Sequence, residues 1–142
     1  MTMSEMTSTL RRARVLVEAP PYPWHALVKE AQGLFECEVR VCGGPLCTDA
    51  PCPVVAGEPC PKAAAADVVV AGLGLDTEQG CAVLRGLRAT YPHTPIVVPV
   101  WRADRTRHAD LLAGCRLVPF PWTMDKFRAA VEDALAAKPE AL

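Results

Sequence analysis

Along this chain, short apolar runs alternate with stripes of apolar residues spaced three and four apart. The clearest run is Ala66 to Leu75 (Ala-Asp-Val-Val-Val-Ala-Gly-Leu-Gly-Leu), which has one acid and is then apolar until Asp76. A run this short, rich in valine and closed by glycines, predicts a strand buried on both faces inside a mostly parallel sheet. In such sheets ligands and chemistry gather at the carboxyl ends of the strands. Gly72 and the matching ends of the other strands are therefore the first places to look.

Arg14 to Ala19 predicts the first strand, stopped by Pro20, Pro21 and Pro23, which cannot continue a ladder. Trp24, Leu27, Val28, Ala31, Leu34 and Phe35 share one face of a predicted helix. Cys37 to Cys42 alternates and predicts the second strand. Beyond the central run, Asp76 is expected to cap a helix, with Gln79 completing a capping box. Val83, Leu84, Leu87 and Tyr91 form its buried stripe, Gly80 and Gly86 weaken it, and Pro92 ends it. Ile96 to Trp101 predicts the fourth strand, Asp104 to Gly114 a short helix carrying Leu111 and Leu112, and Arg116 to Phe120 the fifth strand. A last helix begins at Thr123, sets Met124, Phe127, Val131, Ala134 and Leu135 on one stripe, and stops before Pro139. This alternation predicts one doubly wound α/β domain over 14–138, behind a polar tail over 1–13 that is expected to be disordered.

Composition narrows the function classes. With 142 residues, 51% of them hydrophobic, the chain can bury a core of its own. Fifteen basic against sixteen acidic residues give a net charge of -1. That balance removes any bulk electrostatic case for a nucleic-acid or membrane partner. No apolar run is long enough to span a bilayer, and the amino terminus has no signal-peptide core, so the expected location is the cytoplasm. Arg102, Arg105, Arg107 and His108 form a basic cluster, read as a solvated face.

From Asp67 onward the residues resemble the receiver domain of bacterial two-component response regulators. The likeness is carried by Asp67 to Leu75, then Gly80, Val83-Leu84-Arg85, Leu87-Arg88 and Tyr91-Pro92. Val118-Pro119-Phe120-Pro121-Trp122 with Phe127 carries it further, and Arg14 to Glu18 fits the first strand. The resemblance implies a flavodoxin-like, five-stranded parallel sheet in the order 2-1-3-4-5. It also implies where phosphorylation chemistry would sit, and there this sequence departs from the family. The acceptor aspartate at the end of the third strand is replaced by Gly72. Of the acidic pair that would hold Mg²⁺, only Glu18 remains, followed by Ala19. Val100 or Trp101 stands at the hydroxyl position, and Phe120, followed by Pro121, stands at the lysine position. Phosphoryl transfer needs a nucleophile, a cation and positive charge around the moving group. Aspartyl phosphorylation and bound Mg²⁺ are therefore not expected. Trp24, Trp101 and Trp122 all follow strand ends, so an aromatic pocket is expected there, with His25 beside it, either as filler or as a ligand site.

The family's helix between the second and third strands is replaced by a loop over 42–61. Five prolines and three glycines in those twenty residues forbid a normal helix. At most, Lys62 to Ala66 makes a helical turn. Seven cysteines are present, and Cys42, Cys47, Cys52 and Cys60 all fall on this loop. Four thiolates on a pliable segment suit zinc or an iron–sulfur cluster, although the spacing follows no tight Cys-x2-Cys pair. Redox-active or simply packed thiols are the other readings. Cys37, Cys81 and Cys115 are expected in the core.

The reading that combines these features is a non-enzymatic, receiver-like regulatory domain whose four-cysteine loop binds zinc or an iron–sulfur cluster. It would report metal or redox state to a protein partner, with a homodimer as one form of that partner. A thiol redox protein or small-molecule binder using the tryptophan-lined pocket is a second reading. A plain protein-interaction module is a third.

Overall fold

Strands β1 (Arg14–Glu18), β2 (Glu38–Cys42), β3 (Val68–Ala71), β4 (Ile96–Val100) and β5 (Arg116–Pro119) form one sheet in the order β2-β1-β3-β4-β5. Every pairing is parallel. This computed structural model describes residues 13–18, 38–42, 52–119 and 123–137. The helices within them are α1 (Pro61–Ala64), α2 (Glu78–Thr90), α3 (Arg102–Arg107), α4 (Ala109–Leu112) and α5 (Met124–Ala137). The helix expected over Trp24 to Phe35 lies outside the described residues.

Because side chains alternate across a strand, each buried strand feeds two cores. Val15, Val17, Val68, Val70, Val97 and Val118 pack against Phe127, Val131 and Ala134 of α5. Leu16, Val69, Ile96, Val98 and Val100 face the other way, onto Val83, Leu84 and Leu87 of α2. The uninterrupted apolar character of β3 follows directly, since both of its faces are covered. Asp67, the acid at its start, ties β3 to β1. The Arg14 amide donates to Asp67 Oδ2 at 2.8 Å, and the Asp67 amide donates to the Arg14 carbonyl at 2.7 Å.

Several boundaries differ from expectation for local reasons. Thr77, not Asp76, caps α2: its backbone is extended, and its hydroxyl accepts from the Gly80 amide at 3.0 Å. The single helix expected over Asp104 to Gly114 is two short ones, because His108 leaves helical geometry at φ -115° and ψ 31°. β4 ends at Val100, and Trp101 caps α3.

The cysteine crossover is not loose where it is described. Residues 53–57 form a turn closed by the Ala56 amide donating to the Cys52 carbonyl at 3.2 Å and the Glu58 amide to Pro53 at 2.8 Å. That turn inserts Val54, 2% exposed, into the core beneath α2. Gly86 makes the insertion possible, since a Cβ there would fall on the Val54 carbonyl oxygen. The glycine that weakens the helix in isolation is the one that lets the crossover pack. Pro61 then opens α1 at its first turn, where its missing N–H costs nothing.

Candidate functional site at the carboxyl ends of the strands

β1 and β3 finish side by side, with Glu18 in register with Ala71 and the Gly72 amide donating to the Glu18 carbonyl at 2.8 Å. A Cβ on Gly72 would stand 2.7 Å from that carbonyl oxygen, closer than side-chain carbons come to backbone oxygens. The end of β3 therefore has neither a side chain nor room for one.

Glu18 is the buried acid at this end of the sheet. It is 4% exposed, and its partner in the register of β2 is Cys42, whose thiol donates a hydrogen bond to the carboxyl group. Its second oxygen, Oε2, is buried and has no hydrogen-bond partner among the described residues. Burial pushes the Glu18 pKa up from 4.5 to about 7, against the opposing pulls of the Cys42 hydrogen bond and the Lys62 charge. The carboxyl group is thus a proton acceptor and donor poised near neutrality beside a thiol.

These donors do not fit the Mg²⁺ that the fold would suggest. Mg²⁺ asks for octahedral oxygen coordination anchored by carboxylates. Glu18, half-neutral at pH 7 and hydrogen-bonded to a thiol, does not provide it.

Cys42, Cys52 and Cys60 are each half-buried against the α2 side of the core. Cys42 closes β2 at the carboxyl end. Cys60 caps α1, which leads into the start of β3, and its backbone is held by the Tyr91 hydroxyl at 2.9 and 3.1 Å. Among the described residues no three His, Cys, Asp or Glu side chains form a set that could hold a metal ion. Cys47 lies outside the described residues, as do Cys37, Trp24, His25, Phe120, Pro121 and Trp122.

Trp101 is described and is 61% exposed, so it lies on the surface rather than in a buried aromatic pocket. Arg102, Arg105 and Arg107 are also exposed, matching the solvated face expected of them. Cys81 is buried, its thiol donating to the Leu75 carbonyl at 3.3 Å, and Cys115 is half-buried, as expected of core positions. The Glu18–Cys42 contact was not anticipated. It follows from two strands of equal length running parallel in register, which makes the last residue of one the neighbour of the last residue of the other.

A parallel sheet in this order, with its candidate site above the ends of β1 and β3, defines a receiver-like domain. Comparison with known structures bears this out. A response-regulator receiver domain protein from Clostridium thermocellum superposes with a TM-score of 0.67 at 18% identity, covering 89% of this chain and 96% of that one. The non-phosphorylated HemR receiver domain from Leptospira biflexa gives 0.66 at 16% identity, covering 92% and 100%. The receiver domain of a sensor histidine kinase from Pseudomonas aeruginosa gives 0.64 at 12% identity, covering 89% and 99%, and that structure has magnesium coordinated in its active-site cleft. No family model and no curated protein matches the sequence. Identities this low establish the fold and leave the function to the residues.

Proposed function

We propose that this chain is a regulatory, receiver-like domain that takes no phosphoryl group and receives its signal through the thiols of the 42–61 crossover. Gly72 carries the reading, because the space an acceptor side chain would need is held by the backbone of Glu18. Cys42 supports the second half. Its sulfur is hydrogen-bonded to the Glu18 carboxyl group, so a change at that sulfur alters the hydrogen bonding of a buried acid at the end of β1. The output is contact with a protein partner.

In its metal-dependent form, Cys42, Cys47, Cys52 and Cys60 close around zinc or an iron–sulfur cluster, and binding orders the crossover. A thiol-redox form has a specific observation in its favour, since the Cys42 thiol is hydrogen-bonded to the Glu18 carboxyl group. Metal analysis and absorption spectra of protein prepared without oxygen test the metal form. Bound zinc or a visible cluster band, lost in Cys42→Ser, is its expected result. Folded, metal-free protein with every crossover thiol open to alkylation would end it. Unchanged partner binding after mild oxidation would then end the redox form as well.

A further inference from the structure

The opposite end of the sheet holds a second cleft. The turn from α2 to β4 and the turn from α4 to β5 face each other across a cavity of about 550 Å³, within the range of small-molecule sites. Arg88, His93 and Arg116 bring positive or protonatable nitrogen to its walls, and no acidic side chain is among the described residues lining it. Tyr91, Ile96 and Ala134 give it an apolar side.

Arg88 is held in place by main-chain groups. Its Nη1 donates to the carbonyl oxygens of Leu111 at 2.5 Å and Asp110 at 3.4 Å, which are main-chain groups at the end of α4. These bonds fix the guanidinium, and no ion pair among the described residues includes it. Its field also reaches the Cys115 thiol on the cleft wall, where it counters the upward push of burial on that group's pKa. Arg116 is exposed at the first position of β5, and the ion pairs among the described residues do not include it. Two guanidinium-bearing residues line one concave surface, and neither takes part in an ion pair among the described residues. Guanidinium is also the side chain best shaped to grip an oxyanion through paired N–H donors.

We infer that this cleft binds a small organic oxyanion, a carboxylate or phosphate on a compact apolar body. Arg88 and Arg116 hold the charged group, and Tyr91, Ile96 and Ala134 receive the apolar part. The site lies at the amino-terminal end of the sheet, away from Glu18, Cys42 and Gly72, and does not depend on what those residues do.

Titration calorimetry on the full chain with phenyl phosphate and, separately, benzoate tests the inference. Saturable binding of at least one is expected, and the tighter of the two names the preferred oxyanion. Arg116→Glu should weaken it about tenfold or more, the worth of a lost charge-assisted contact. Because Arg116 is exposed, the melting temperature of that variant without ligand should stay close to that of the parent. Arg88→Lys keeps the charge but loses the fork, and should also weaken binding. Failure of both compounds to bind at about ten millimolar, or binding that Arg116→Glu leaves unchanged, would overturn the assignment.

Discussion

The two ends of this sheet have divided its polar chemistry in an unusual way. At the carboxyl ends, where open parallel sheets place their ligands, the described residues offer a buried carboxyl group, a thiol and a glycine. At the amino ends it offers two arginines around a cavity of about 550 Å³. At the carboxyl end Glu18 is 4% exposed and hydrogen-bonded to Cys42, so a change at that sulfur is felt strongly. The amino end is open and charged, suited to holding something from outside. The crossover spans both. Its Cys42 touches Glu18 at one end, and its Cys60 is tied to Tyr91, on the cleft wall, at the other.

The contrast can be broken hardest at Gly72. Gly72→Asp places a Cβ against the Glu18 carbonyl and a second carboxyl group beside a buried one, so a loss of about 4 kcal/mol is expected in urea unfolding. A fully stable Gly72→Asp would show that the pocket has room the structure denies it. Glu18 gives the next largest effect. Between pH 4.5 and about 7 the folded chain keeps a proton on Glu18 that the unfolded chain has released. Stability therefore falls as pH rises through that window, and the penalty is complete above 7. The shift corresponds to about 3 kcal/mol. Glu18→Gln should flatten this dependence and leave the protein more stable than the parent at pH 8, as read from urea melts across the window.

Smaller effects test how the crossover is held. Gly86→Ala gains about 1 kcal/mol in helix propensity but drives a methyl group into the Val54 carbonyl, which costs about 1 to 3 kcal/mol. The net expectation is a loss of about 1 kcal/mol, and a gain would mean that the 53–57 turn does not pack there. Tyr91→Phe removes the hydroxyl that both accepts from and donates to the Cys60 backbone. A loss of about 1 kcal/mol is expected, together with faster alkylation of Cys60.

Much of this architecture was legible in the sequence, because burial leaves a periodic trace. The valine run over Val68 to Val70 marked the central strand, and the stripe of Val83, Leu84 and Leu87 marked the helix that covers it. What the pattern could not carry was proximity between chain segments. Gly86 reads as a helix-weakening residue until Val54 is found beneath it. Cys42 reads as one of four spaced sulfurs until the register of β1 and β2 sets it against Glu18. Trp101 follows a strand end, as an aromatic pocket would require, yet it faces solvent because α3 begins there and turns it outward. Arg88 and Arg116 are ordinary surface charges in a linear reading, and only the two turns of the fold bring them to one cleft.

The most direct measurement is the intact mass of the full chain after incubation with acetyl phosphate and Mg²⁺, alongside a phosphorylatable receiver domain as control. The expected result is an unmodified chain under conditions that label the control. A stable phosphoryl adduct on an acidic side chain at the carboxyl ends of the strands would contradict the reading of Gly72 and, with it, the proposal that the signal enters through sulfur.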